Sequence, residues 1–212
     1  MSDTARLIIM FIVEIVAFLV PYLAYLKYDP DYKEVNFLDK KGYYFLFIEF
    51  FLSVLMFLNF KGTLFTSIFT AVGCGYLLTS SVLDYQTTSV PDVLHYFSVL
   101  MFIPAIWVNF KAGTVYSYVG IVGFALFILL QLLVFSRTFG FSDALAFIAF
   151  GTLCFSQNKG WESMMGGMVI AYVLLIIIQL CKKNVTRKFK LKKPVAFIPY
   201  IFAAYAVILF IL

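Results

Sequence analysis

Charge is what this sequence has least of. Only 13% of its 212 residues are Asp, Glu, Lys or Arg, against 63% hydrophobic, and the mean hydropathy is +0.98. That balance excludes a soluble globular domain, which could not hide so much apolar surface, whereas lipid can solvate it. Cysteine is scarce as well. Cys74, Cys154 and Cys181 fall within or at the end of apolar runs and form no C-x-x-C pair, which excludes a disulfide framework and a zinc site. All three read as small buried residues. The single histidine, His95, lies one turn after Pro91 and reads as an interfacial residue rather than a catalytic one. There is no internal repeat and no low-complexity tract. The formal charge of +5 is not a nucleic-acid signature, because the positive residues cluster at the edges of apolar runs.

What is present is a succession of apolar runs. A helix needs about 20 apolar residues to cross a bilayer, and eight stretches approach that length: 7–26, 43–60, 63–83, 91–108, 114–135, 142–157, 161–181 and 195–212. The first follows only Arg6 and has no small-residue cleavage pattern, so it reads as a retained span rather than a removed signal peptide. The expected fold is all-α: a polytopic bundle of about eight transmembrane helices, one domain over residues 1–212. Short connections predict that consecutive helices are antiparallel neighbours. The two longer ones, 27–41 and 182–193, are mixed in charge and strongly basic respectively. With eight spans, the odd-numbered loops hold twelve of the sixteen Lys and Arg residues. The positive-inside rule then puts those loops in the cytoplasm and both termini outside. The basic run at 182–193 reads as a topology determinant attracted to anionic lipid.

Against this background two aspartates stand out. Asp84 ends the apolar run 76–83 and is followed by a polar segment up to Pro91-Asp92; Asp143 sits in Phe139-Gly140-Phe141-Ser142-Asp143, where the next run starts. The topology rests on Lys and Arg alone, yet it places both aspartates on one side, with Asp84 opening the third loop and Asp143 closing the fifth. Pro91 suits the first turn of a helix, with Ser89 or Asp92 available to satisfy free N–H groups there. Ser142 is the expected N-cap of a helix beginning at Asp143. Small residues at Gly140 and Ser142 leave room for a peptide backbone beside the carboxylate. Two carboxylates brought together at a membrane boundary are the minimum equipment for aspartyl-protease chemistry.

These segments resemble the type IV prepilin peptidases, the GxGD family of intramembrane aspartyl proteases. The family's first motif, an aspartate after an apolar run and then Pro with Asp or Asn, reads here as Asp84…Pro91-Asp92. The second, Gly-x-Gly-Asp, is matched by Gly140-Phe141-Ser142-Asp143, with Ser142 in place of the second glycine and Leu145 and Ala146 departing downstream. Weaker likenesses are the glutamate-bearing span around Glu49-Phe50-Phe51-Leu52-Ser53 and the approach to the last span, Lys193-Pro194-Val195-Ala196-Phe197-Ile198-Pro199-Tyr200. Together they cover about 49–205.

The resemblance implies that Asp84 and Asp143 form a catalytic dyad sharing one proton, one member activating a water and the other protonating the scissile carbonyl, with no metal, cofactor or covalent intermediate. It implies substrate-binding roles for Gly140, Ser142, Pro91 and Asp92. The implied substrate is a prepilin-like protein with a short basic leader ahead of an apolar helix, cut at the cytoplasmic face of the cell membrane for a pilus, a secretion machine or a competence pseudopilus. Bifunctional members carry a large cysteine-bearing insertion after the first span. Loop 27–41 is too short for it and has no cysteine, so the likeness is to a peptidase-only member. Glu14 and Glu49 lie inside spans, where an ionised carboxylate is costly, and are expected to face the bundle and bond to partners. Two rival readings are an ion- or proton-coupled transporter, which places carboxylates near the bilayer midplane, and an inactive assembly scaffold.

Overall fold

The computed structural model describes residues 3–28, 40–60, 62–88, 90–91, 93–94, 96, 100, 103, 115–134, 140–156, 161–186 and 195–211. Seven helices span most of these residues, with no strand among them: α1 (Asp3–Tyr28), α2 (Lys40–Asn59), α3 (Leu64–Thr87), α4 (Val115–Val134), α5 (Phe141–Ser156), α6 (Trp161–Thr186) and α7 (Ile198–Ile211); 93–94, 96, 100 and 103 are helical as well. Most of the expected span at 91–108, with Asp92 and His95, lies outside the described residues. Three stretches, Asp3–Tyr25, Leu64–Thr87 and Ser163–Cys181, are long and apolar enough to cross a membrane, and Leu46–Asn59, Phe141–Gly151 and Ile198–Ile208 are shorter apolar helices. The protein is all-helical among the described residues, and its long apolar helices are those of a membrane protein. Large side chains such as Phe47, Leu133 and Val20 stand outward from the bundle, where lipid can solvate them.

The centre of the bundle is α3. From Thr70 to Asp84 nearly every residue is buried, including Thr79, Ser80 and Ser81. It contacts α1, α2, α5 and α7. Small residues make this possible, because between helices in lipid close backbone approach and dispersion replace the hydrophobic effect as the driving force. At Gly75 an added Cβ would stand 2.6 Å from the Ala17 Cβ and 2.8 Å from the Glu14 carbonyl oxygen, so α1 rests directly on its backbone. Gly73 meets Leu153 of α5 in the same way. The Thr79 hydroxyl lies 2.9 Å from the Gly75 carbonyl and 3.3 Å from the Phe18 carbonyl, which ties α3 to α1.

Across the long 27–41 connection, packing does not follow chain order. α1 lies chiefly against α3 and barely touches α2, its neighbour in sequence. The glycine and serine face of α3 admits α1 more closely than the Phe- and Tyr-rich α2 does. A cavity of about 760 Å³ remains between α1 and α2, bounded by Glu14, Phe18, Tyr43, Phe47 and Leu78 among others. Cys74 and Cys154 are buried as expected, but Cys181 is exposed near the end of α6. That helix continues to Thr186, beyond the expected limit of 181, and Cys181 lies on its outward face.

Candidate active site

Asp84 does not open a loop. α3 runs one turn past it to Thr87, closed by Thr88 in the left-handed conformation (φ 54°, ψ 26°), whose N–H donates to the Asp84 carbonyl at 2.8 Å. The expected boundary at 83 followed the polarity of Tyr85-Gln86-Thr87, but Thr87 returns its own hydroxyl to the Leu83 carbonyl at 2.7 Å and stays helical. A last helical turn thus carries Asp84, which is 7% exposed.

Its carboxyl group is held by a segment 113 residues away. Asp84 Oδ2 accepts the N–H of Phe197 at 2.6 Å and that of Ile198 at 2.9 Å. These are among the N–H groups that the first turn of α7 leaves without intrahelical acceptors, so the aspartate of α3 caps α7 in trans. A carboxylate there is favoured twice, by the two N–H donors and by the positive end of the helix dipole.

Asp143 has a different, local arrangement. The helix α5 begins at Phe141, not at Asp143, and Gly140 rather than Ser142 occupies the cap: the Ala144 N–H donates to the Gly140 carbonyl at 3.2 Å. Asp143 is the third residue of the first turn, and its Oδ2 accepts the Gly140 N–H at 3.0 Å. This is the returning half of a capping box, in which an acidic side chain at that position satisfies the cap residue's own N–H. Ser142 lies within the turn, half-buried. An added Cβ on Gly140 would come within 3.3 Å of Asp143 Oδ2, so glycine keeps the space beside the carboxyl open.

The two aspartates lie at one end of the bundle. α3 packs against both α5 and α7, and the charge of Asp84 acts on Asp143. An aromatic cluster links their supports. Phe197, whose N–H holds Asp84, has its ring 5.6 Å from that of Phe147, one turn after Asp143, and 5.0 Å from that of Tyr172 on α6. Tyr200 of α7 joins the edge, 6.4 Å from Phe197. Of the other expected site residues, Gly140 and Ser142 stand beside Asp143. Pro91 is buried three residues beyond Thr88, its carbonyl accepting the Leu94 N–H at 3.0 Å. Among the described residues there is no group of three His, Cys, Asp or Glu side chains placed to hold a metal ion.

Sequence reasoning missed several residues here. Phe197 and Ile198 act through backbone N–H groups, which leave no residue-type signature. Gln131 did leave one: it is a lone amide in the run Phe124-Ala125-Leu126-Phe127-Ile128-Leu129-Leu130-Gln131-Leu132-Leu133, and a polar side chain in an apolar run is a functional hint. It accepts the Tyr172 hydroxyl at 3.0 Å. Glu14 and Glu49 do face the bundle, at 0% and 3% exposed. Neither gains the expected partner in full: no well-formed hydrogen bond reaches either Glu14 carboxyl oxygen or Glu49 Oε2. Ser53, beside Glu14, directs its hydroxyl at the Glu49 carbonyl (3.4 Å).

No protein-family model, curated protein or solved structure matches this chain.

Proposed function

We propose that the chain is an intramembrane aspartyl endopeptidase of the prepilin-peptidase kind, with eight spans in the cytoplasmic membrane and its dyad, Asp84 and Asp143, at the cytoplasmic face. The observation that supports this reading is the convergence of two carboxyl groups 59 positions apart in sequence at one end of the bundle, each fixed by backbone N–H groups and electrostatically coupled. Neither has a basic side chain as partner among the hydrogen bonds and ion pairs of the described residues, so the pair is free to share a proton. In the reaction one carboxylate takes a proton from water as the oxygen attacks the scissile carbonyl. The other, protonated, donates to the carbonyl oxygen. The tetrahedral intermediate then collapses with proton transfer to the leaving amide nitrogen. The substrate is a pilin-like protein with a basic leader left on the cytoplasmic side, and the anionic membrane surface around the basic 182–193 segment completes the setting.

The test is co-expression with pilin-like substrates, following their size for wild type, Asp84→Asn and Asp143→Asn. A leader-sized shift lost in both variants supports the reading. A shift that persists in either one refutes the dyad. Absence of cleavage by the wild type moves the inactive-scaffold reading forward.

One observation favours a second reading, a proton- or cation-coupled transporter. Glu14 and Glu49 are buried near the middle of α1 and α2 with unsatisfied carboxyl oxygens, which is where such a protein places its carriers. Ion-dependent flux in proteoliposomes that is lost in Glu14→Gln but kept in Asp84→Asn separates it from the protease.

A further inference from the structure

Around the two aspartates the hydrogen-bonding groups are unevenly shared. Asp84 Oδ2 receives two N–H donors and Asp143 Oδ2 one. On the Asp143 side stands a group of opposite character. The Tyr172 hydroxyl has given its proton to Gln131 Oε1 at 3.0 Å, so what its oxygen offers any third group is lone pairs. The ring is fixed by Phe197 at 5.0 Å and Phe147 at 6.2 Å. Phe147 lies one turn along α5 from Asp143, on the same face, and the Asp143 charge acts on Tyr172. A half-buried tyrosine whose proton is committed elsewhere has a use beside a carboxylic acid: it can accept a hydrogen bond from the acid's O–H, directly or through one water.

We propose that Tyr172, oriented by Gln131, is a positioning residue of the dyad that accepts a hydrogen bond from the protonated Asp143 carboxyl and so holds the shared proton on that member. This rests on the protease reading for its purpose, though not for its geometry. Asp143 is then the acid that protonates the scissile carbonyl, and Asp84, supported by the N–H groups of Phe197 and Ile198, is the base that activates water. Other ionisable groups at this end include Tyr85 of α3 and Tyr200 of α7, the latter within reach of the Asp84 charge. They also include Tyr22, Tyr25 and Lys27 of α1, which runs parallel to α3, and Cys181, Lys182 and Lys183 at the end of α6. Tyr200 packs on Phe197 with ring centroids 6.4 Å apart, and among the described residues it is Tyr172 whose hydroxyl bonds Gln131. α4 contributes Gln131 alone.

Tyr172→Phe removes the hydroxyl and keeps the ring, and Gln131→Leu releases the phenol proton. Protonation of the dyad is followed by infrared difference spectroscopy of the carboxyl stretch, with Asp143→Asn to assign the band. The expected result is an Asp143 carboxyl band that changes frequency and titrates over a different pH range in Tyr172→Phe, with a smaller change of the same sense in Gln131→Leu. In cleavage assays KM stays near the wild-type value, kcat falls about tenfold, the worth of one hydrogen bond in the transition state, and the pH profile moves with the band. If the band and its titration are unchanged in Tyr172→Phe, the proposal is overturned, whether or not the protein cleaves anything. A band that moves in a chain that cleaves no substrate upholds the positioning role and removes the protease reading instead.

Discussion

Replacing Asp84 by alanine should loosen the start of α7 rather than simply abolish chemistry. Phe197 and Ile198 are 6% and 0% exposed, and one oxygen, Asp84 Oδ2, accepts both of their N–H groups. Each buried donor left without an acceptor costs about 1–3 kcal/mol, and loss of a helix cap costs about 0.5–2 kcal/mol. These are overlapping descriptions of one event. The site is near an end of the bundle, where water can reach part of the loss, so Asp84→Ala should destabilise by about 2–4 kcal/mol. Asp84→Asn should behave differently. Because a single oxygen serves both donors, an amide oxygen in its place keeps both bonds and forfeits only their charge assistance, costing about 1 kcal/mol or less. The assay is reversible unfolding in detergent micelles, paired with hydrogen exchange at Phe197 and Ile198. Asp84→Ala should lower stability and expose those two amides selectively; Asp84→Asn should do neither to a comparable degree. Equal stabilities for the two variants, with both amides still protected in Asp84→Ala, would refute the trans-capping argument. The distinction also decides which substitution is the fair probe of catalysis, since only asparagine removes the titratable group without disturbing its support.

Other outcomes follow from the same packing. Gly75→Ala places a methyl group 2.6 Å from the Ala17 Cβ and 2.8 Å from the Glu14 carbonyl, so it should force α1 from α3 and cost about 1–3 kcal/mol. Gly123→Ala, with nothing within 4 Å of the new Cβ, should be neutral or stabilising by up to about 1 kcal/mol; indistinguishable unfolding of the two variants would contradict the α1–α3 interface. Thr88 is β-branched and left-handed at φ 54°, a conformation costing about 1–2 kcal/mol without glycine. Thr88→Gly should therefore raise stability by about 1 kcal/mol in the same assay, and a loss would show that the end of α3 is not closed in this way.

The parts of this protein that were legible in sequence are those governed by local rules. Apolar runs located all seven described helices, to within a few residues at most ends, because the demand for satisfied backbone groups in lipid permits little else. The end of α3 was misplaced because Thr87 was read as a polar loop residue, whereas a threonine hydroxyl can bond back to the preceding turn and remain helical. At α5 the polar cue was right and its assignment wrong. Ser142 has the better capping side chain, but with Gly140 at the cap Asp143 can reach back to the Gly140 N–H, an option that depends on the exact register. The pairing of α1 with α3 was hidden for a different reason: it depends on how closely two backbones approach at Gly75, and nothing in loop length encodes that. Most hidden of all was the hold on Asp84. A side chain advertises its chemistry by type, but Phe197 and Ile198 contribute only amide groups that every non-proline residue owns. What makes those two special is that they begin a helix beside α3. The sequence could expose the carboxyl group in search of donors, while its donors become visible only once α3 and α7 are packed together.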